Sequence, residues 1–186
     1  MTAQIPETVR VNGRRYDLCG IRGDDLFDPA EHDIVAAAPN TACWRGFVCG
    51  YKVRYRELLL DELNLWSEPA HWSHNRARLE LLLGDKLEFD DARCAVNGRG
   101  IAFPIRFTGN LLIGRDFIEE LYVHMGFHPA YKYREVLELA FEKGRLLTKT
   151  DLSEEMEEIR LRKGRGDWQE SGNLAAWIDD AFRLDY

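Results

Sequence analysis

Two charged residues occupy positions where the alternation of the sequence predicts apolar side chains. Arg45 lies on the apolar face of a strand predicted over residues 43–53, and Glu135 has the same position in a strand predicted over residues 131–141. An uncompensated charge is costly to bury, so each residue needs a charged partner or a solvent-filled cavity. We therefore expect Arg45 and Glu135 to meet or to line one polar pocket inside the sheet. A bulge that turns either residue to solvent, or a helix over residues 131–141, would remove that expectation.

Other polar residues are candidates for the same pocket. Arg115 and Asp116 follow the apolar residues 111–113, although Asp116 is also suited to cap a helix predicted over residues 116–125. Two histidines follow in the same stretch. The candidate binding residues are Arg45, Glu135, Arg115, Asp116, His124 and His128.

The histidines occur in two close pairs, His71 with His74 and His124 with His128. A His-x3-His spacing on a helix points both rings in one direction, as zinc ligands often do. However, a glycine and a proline near the second pair indicate that it spans a helix end, and the first pair lies in a predicted loop. We expect histidines with structural or surface roles, with no metal and no cofactor. A histidine-based metal site, alone or with Cys94, is the alternative.

The chain carries none of the common nucleophile or nucleotide-binding motifs. It lacks Gly-x-Ser-x-Gly, the P-loop and a Gly-x-Gly-x-x-Gly after a strand. Its four cysteines contain no Cys-x-x-Cys pair, and we expect them to pack as small buried side chains rather than to form disulfides. The sequence therefore identifies no catalytic residue and favours a protein that binds without catalysing a reaction.

The net charge of the chain indicates which classes of partner it can bind. A net charge of −7 over 186 residues disfavours nucleic-acid binding, which needs a basic face. An acidic protein suits a basic protein partner or a small molecule. The first ten residues do not resemble a secretory signal, and no apolar run approaches the ~20 residues of a membrane helix. We expect a cytoplasmic protein that does not contact a membrane.

The pattern of apolar residues predicts a fold built mainly from hairpins. Asn12-Gly13 marks a two-residue turn between strands in residues 8–16, and Asp28-Pro29 begins a short helix. Residues 66–75 look like a loop, and Asn97-Gly98 looks like a second hairpin turn. Further predicted elements are strands at 43–53, 58–60, 101–107, 111–113 and 131–147, and helices at 116–125, 153–163 and 174–182.

These elements predict an α+β fold that is mainly antiparallel β, arranged as a meander or a sandwich of hairpins. A short central helix and two C-terminal helices complete it. We expect residues 1–186 to form a single domain, with a β-rich core in residues 1–150. Residues 151–186 form a helical segment packed on that core. The apolar stripe of the last helix is a candidate homodimer contact.

Residues 42–51 and 116–130 resemble segments of small uncharacterised bacterial proteins. That resemblance carries no named function and implies no catalytic residue. From the residues themselves, the first hypothesis is a non-enzymatic binding protein that neutralises a basic toxin, as an immunity protein does. The alternatives are a small-molecule-binding protein or enzyme with a polar pocket around Arg45 and Glu135, and the histidine-based metal site.

Overall fold

The computed structural model of the chain describes residues 2–163, which contain nine strands and two α-helices. The strands are β1 (Thr8–Val11), β2 (Arg14–Gly23), β3 (Phe47–Arg54), β4 (Glu57–Trp66), β5 (Leu87–Asp90), β6 (Ala95–Pro104), β7 (Gly109–Phe117), β8 (Tyr133–Glu142) and β9 (Arg145–Asp151). The helices are α1 (Pro69–Leu83) and α2 (Ser153–Lys163). Short 3-10 turns lie at Pro29–His32, Gly84–Lys86, Glu119–Leu121 and Ala130–Lys132.

The strands form one sheet that closes on itself. Neighbouring strands follow the order β3-β1-β2-β7-β8-β9-β4, and β4 pairs in turn with β3. Strands β6 and β5 extend the sheet from β4, and the described strand pairs are antiparallel except β1 with β3. The predicted α+β class with a mainly antiparallel sheet is confirmed. The order departs from a sequential meander because β1 lies between β2 and β3, and β2 pairs with β7.

The ring closes at a narrow seam between β9 and β4. One residue pair, Glu57 with Arg145, joins the two strands. The Arg56 side chain reinforces the seam, because its Nε and Nη2 donate to the carbonyls of Leu146 and Leu147 at 2.9 and 2.8 Å. Side-chain donors therefore complete the closure where the backbone ladder is short.

The alternation of side chains along the strands separates two apolar clusters. In β7, Leu111 and Ile113 belong to the main core, whereas Leu112 between them belongs to a smaller cluster. The main core also receives Trp72 and Leu79 of α1. The smaller cluster lies on the α2 side of the sheet and comprises Cys19, Leu112, Ala130, Tyr133 and Val136, with Phe117, Leu152 and Met156 at its border.

Several predicted elements are confirmed. Asn12 and Gly13 both have positive φ, 50° and 78°, as a type I′ turn requires. The Asp28 carboxylate accepts a hydrogen bond from the Ala30 amide at the start of the first 3-10 turn. The β8–β9 hairpin and α2 occupy the predicted segments. The four cysteines are free and buried, as expected.

Four predicted elements are wrong. Residues 116–125 do not form a helix, because β7 continues through Phe117 and only Glu119–Leu121 makes a 3-10 turn. The strand predicted over 43–53 begins at Phe47, after a turn. The loop predicted at 66–75 is instead the end of β4 and the first half of α1. Asn97-Gly98 does not form a turn but lies inside β6. Because glycine has no Cβ, Gly98 leaves room for the side chains of Leu87 and Ile101.

The predicted helix over 174–182, and with it the candidate homodimer contact, lies outside the described residues. Within residues 2–163, no helix is both long enough and apolar enough to cross a membrane.

Candidate binding site around Arg45

The centre of the candidate site is an ion pair between Glu7 and Arg45. Arg45 Nη2 lies 3.0 Å from Glu7 Oε1, and the side chains are 23% and 3% exposed. Glu7 immediately precedes β1, and its backbone carbonyl accepts a hydrogen bond from the Leu18 amide. Burial raises the pKa of Glu7, and the neighbouring guanidinium opposes that shift only in part. The carboxylate therefore depends on Arg45 as its compensating charge.

Aromatic rings hold the Arg45 guanidinium in place. Its central carbon lies 4.9 Å from the centre of the Phe47 ring and 5.7 Å from that of Phe127. Both distances are within the range of a cation–π contact. The guanidinium is thus positioned by Glu7 and two rings before any ligand is present.

Behind the ion pair lies a buried hydroxyl group. Among the described residues, Tyr51 Oη is the one fully enclosed side-chain nitrogen or oxygen without a hydrogen-bond partner of good geometry. Its polar neighbours are the Glu7 carboxylate and the Cys49 thiol, and burial is the main cause that raises the pKa of Tyr51 and of Cys49. On this side, the Glu7 carboxylate therefore faces a neutral phenol and a neutral thiol that are themselves buried away from water.

In front of the ion pair lies a cavity of about 340 Å³. Arg45 and Phe47 form one wall, and the segment from Asp28 to Ala36 forms the other. Its size is at the lower end of small-molecule sites, which span roughly 300–1,000 Å³. The lining residues are Asp28, Pro29, Ala30, Asp33, Ile34, Val35, Ala36, Arg45 and Phe47.

Hydrogen bonds from α1 fix the second wall. The Asn75 side chain, which is wholly buried, accepts from the Val35 amide at 3.0 Å and donates to the Val35 carbonyl at 2.8 Å. It also donates to Ser67 Oγ at 2.7 Å. The Asn75 side chain thus provides hydrogen-bond partners for both the amide and the carbonyl of Val35, as the backbone of a neighbouring strand would.

Gly46 allows the first wall to approach the second. It has φ +80°, and a Cβ at this position would lie 2.6 Å from the Ala37 backbone nitrogen. A side chain is therefore excluded by both the backbone conformation and the space. Gly46 lies between the two lining residues Arg45 and Phe47, so this close backbone approach brings their segment against residue 37.

Glu135 lies in a separate polar cluster near the start of β8. Its Oε1 accepts from Tyr16 Oη at 2.6 Å and lies 3.5 Å from Arg14 Nη1, and its Oε2 lies 3.5 Å from Arg115 Nη1. Arg115 Nε is 3.5 Å from Asp116 Oδ1. Glu135 is 27% exposed, and burial, followed by the Glu135 carboxylate, raises the pKa of Tyr16.

The structure thus brings together some of the predicted site residues and not others. Glu135, Arg115 and Asp116 share one cluster, while Arg45 pairs with Glu7 and does not meet Glu135. Asp116 has φ 58° within β7, so it does not cap a helix. Arg45 and Glu135 each have an oppositely charged partner, as expected, but the partners are different residues: Glu7 for Arg45, and Arg14 and Arg115 for Glu135.

Neither His124 nor His128, the two histidines predicted for the site, forms an ion pair with a described residue of the Glu7–Arg45 pair or of the Glu135 cluster. His124 Nδ1 lies 2.9 Å from Tyr122 Oη, and His128 packs on Phe117 with ring centres 4.8 Å apart. In α1, His74 contacts Asp33. In the described part of the chain, no group of three or more His, Cys, Asp or Glu side chains is placed to hold a metal ion.

Two important residues were missed in the sequence, although a signal for them exists. Glu7 has the same parity as Val9 and Val11, so the alternation that predicts the first hairpin also directs Glu7 to the core. Extending the predicted hairpin by one residue at its start finds Glu7, and Tyr16, which has the same parity as Leu18, is already the last residue of the predicted segment.

Comparisons of the chain with family models, with curated proteins and with solved structures found no match.

Proposed function

We propose that this protein binds a small molecule with an anionic group and an apolar body in the cavity beside Arg45. The observation that carries the proposal is the position of the guanidinium. It is anchored by the buried carboxylate of Glu7, and the same arginine lines a cavity of about 340 Å³.

The hydrogen-bonding capacity of Arg45 supports an anionic ligand. A guanidinium has five N–H donors, and within residues 2–163 its charged partner is Glu7. Opposite Arg45, Asp28 accepts a hydrogen bond from the Ala30 amide and Asp33 lies 3.1 Å from His74 Nε2, so each carboxylate of the cavity wall has a partner of its own. Unused N–H donors on Arg45 favour an anionic group on the ligand at the guanidinium.

The apolar part of the ligand follows from the remaining lining residues. Phe47, Ile34 and Ala36 offer an aromatic face and aliphatic contacts next to the guanidinium. Burial of apolar surface supplies affinity, and the charged contact sets the orientation.

A matched pair of probes tests this proposal. Phenylacetate and 2-phenylethylamine share an apolar body and differ in the sign of their charge. We expect phenylacetate to raise the melting temperature of the protein in a concentration-dependent way, since a ligand that binds only the folded state stabilises it. The amine is expected to produce no such shift.

Two variants provide the controls. Arg45→Lys retains a charge for Glu7 but loses the planar fork, so we expect phenylacetate affinity to fall at least tenfold. Arg115→Lys makes the same change in the Glu135 cluster and is expected to bind like the wild type. Equal responses to both probes, or unchanged affinity in Arg45→Lys, would show that Arg45 does not hold the ligand.

The toxin-neutralising hypothesis stays a prediction. It is separable from the small-molecule proposal, because a protein partner would bind equally well to variants that no longer respond to phenylacetate.

A further inference from the structure

The Arg45 side chain belongs both to a buried ion pair and to the wall of a cavity. Its Nη2 lies 3.0 Å from Glu7 Oε1, and the same side chain lines the cavity together with Phe47. Without a ligand, one guanidinium compensates one carboxylate, so the pair is neutral. An anionic ligand on Arg45 adds a second negative charge to the same guanidinium, and the charges at the site then no longer balance.

A ligand carboxylate and the Glu7 carboxylate would lie close to each other. Each would be at hydrogen-bond distance from one guanidinium, so their charges would be separated by roughly 7 Å or less. When two carboxylates share such a site, their repulsion raises the pKa of one of them. The apolar body of the ligand displaces water from the cavity and so strengthens that repulsion. Uptake of one proton by the pair of carboxylates removes the repulsion.

Glu7 is better suited to receive this proton than the carboxylates of the opposite wall. Its side chain is 3% exposed, so water stabilises its charge little, and burial already raises its pKa. The Asp33 side chain is 72% exposed and lies 3.1 Å from His74 Nε2, which favours its ionised form. Asp28 accepts a hydrogen bond from the Ala30 amide, which also favours the ionised form.

The surroundings of Glu7 also suit a neutral carboxyl group. Besides Arg45, the titratable side chains that interact with Glu7 among the described residues are Tyr51, Cys49 and Cys43. Burial raises the pKa of all three, so they stay neutral and do not compete for the charge. The enclosed Tyr51 hydroxyl can donate to an ionised Glu7 and can accept from a protonated one. Both protonation states therefore have a neighbour with which to form a hydrogen bond.

We propose that the Arg45 cavity takes up its anion together with one proton, and that Glu7 holds this proton in the bound state. The inference rests on the proposed function and adds the proton as a second ligand of the same site. Solvent supplies the proton, which forms an O–H bond with the Glu7 carboxylate, and no other covalent bond changes. The affinity for the anion therefore rises as the pH falls, as long as the ligand itself stays ionised.

Counting protons during binding tests this proposal. Weakly buffered wild-type protein is mixed at pH 6.5 with phenylacetate of the same pH, and the acid needed to restore the pH gives the protons taken up per phenylacetate bound. Phenylacetate is ionised there, because the pKa of such a carboxylic acid is roughly 4.3. We expect uptake of at least about 0.3 proton per phenylacetate, and an affinity at least about threefold weaker at pH 8 than at pH 6.

The outcome of this experiment also separates the two proposals. Phenylacetate binding without proton uptake would overturn the role of Glu7 and leave the proposed function standing. Absence of phenylacetate binding across this pH range would overturn both.

A matched pair of variants assigns the proton to Glu7. Glu7→Gln resembles the protonated side chain in shape but cannot titrate. We expect this variant to bind phenylacetate more tightly than the wild type at pH 8, without proton uptake. Glu135→Gln makes the same change in the other cluster and is expected to retain the wild-type proton count. Proton uptake that persists in Glu7→Gln would overturn the assignment.

Infrared difference spectroscopy of the wild type tests the assignment without a change at Glu7. The spectrum of the free protein is subtracted from that of the phenylacetate complex. We expect a new carbonyl band of a protonated carboxyl group, and we expect it to shift when the glutamate carboxyl carbons carry ¹³C. A complex that shows no such band, or a band that does not shift, would contradict protonation of Glu7.

Discussion

Glu7 and Glu135 are two carboxylates compensated by arginines within one sheet, yet their surroundings differ. Glu7 is almost wholly buried and has one cationic partner, whereas Glu135 is partly exposed and is shared by Arg14, Arg115 and Tyr16. Water screens the second cluster and not the first. The same residue types are therefore expected to contribute differently to stability, and Arg45, the partner of Glu7, also lines the cavity described above.

The largest expected effect is loss of the Glu7 partner. Arg45→Met keeps the length of the side chain but leaves Glu7 buried without a cation, so we expect the free energy of unfolding to fall by about 3–5 kcal/mol. Arg115→Met is the matched change at Glu135, where Tyr16 and Arg14 remain, and its expected cost is about 1 kcal/mol or less. Urea denaturation measures both. Equal costs would mean that the two carboxylates do not differ as their exposure indicates.

A smaller effect is expected at the hydroxyl that supports Glu135. Tyr16→Phe removes a 2.6 Å hydrogen bond to a carboxylate and leaves the ring in the core. Hydrogen bonds to charged groups contribute roughly 1.5–3 kcal/mol, and partial exposure of Glu135 places the expected loss at the lower end. A loss as large as that of Arg45→Met in the same denaturation assay would contradict the view of Glu135 as a shared, screened carboxylate.

The smallest expected effect is a difference in pH dependence. Because burial raises the pKa of Glu7 above 4.5 in the folded state, ionising it costs more in the folded chain than in the unfolded chain. The resulting stability is present at low pH and is lost as the pH rises through the folded-state pKa. The Glu7→Gln variant has no carboxyl group at this position, so its stability lacks this pH-dependent contribution. We expect the stability of the wild type, relative to Glu7→Gln, to fall as the pH rises from about 4.5.

Urea denaturation of both proteins across this range measures the difference directly. Other titrating groups, such as Asp17, are present in both chains and cancel. A relative stability that rises with pH would show that Arg45 outweighs the burial of Glu7.

The predictability of this fold from sequence follows the strength of local signals. The first hairpin was predictable because Asn12-Gly13 has one favoured turn geometry, and β8 because its alternation continues into a clear return strand. Helix α1 was not predictable from its periodicity. Its buried positions, Trp72, Asn75, Leu79 and Leu83, include a polar residue and leave most of the helix surface hydrophilic.

The candidate site was half predictable for a related reason. Alternation correctly identifies Glu135 in β8 as a charge that requires compensation, whereas Arg45 lies in the turn before β3, so alternation pointed to it through a strand that does not extend that far. Alternation does not identify the partner, because Glu7 is brought to Arg45 by the parallel pairing of β1 with β3, a long-range contact with no local signal.

Closure of the ring also has a consequence for how the protein behaves in a crowded solution. Open strand edges recruit strands from other molecules and start aggregation, and a closed ring removes most of them. Two edges remain among the described strands: β5, which is four residues long and carries Glu88 and Asp90, and the part of β9 beyond Arg145, which carries Lys149 and Asp151. At the seam, the Arg56 guanidinium occupies two carbonyls of β9 that would otherwise be free to accept an incoming strand. Arg56 thus acts as a guard against intermolecular strand pairing, at the point where the ring is thinnest.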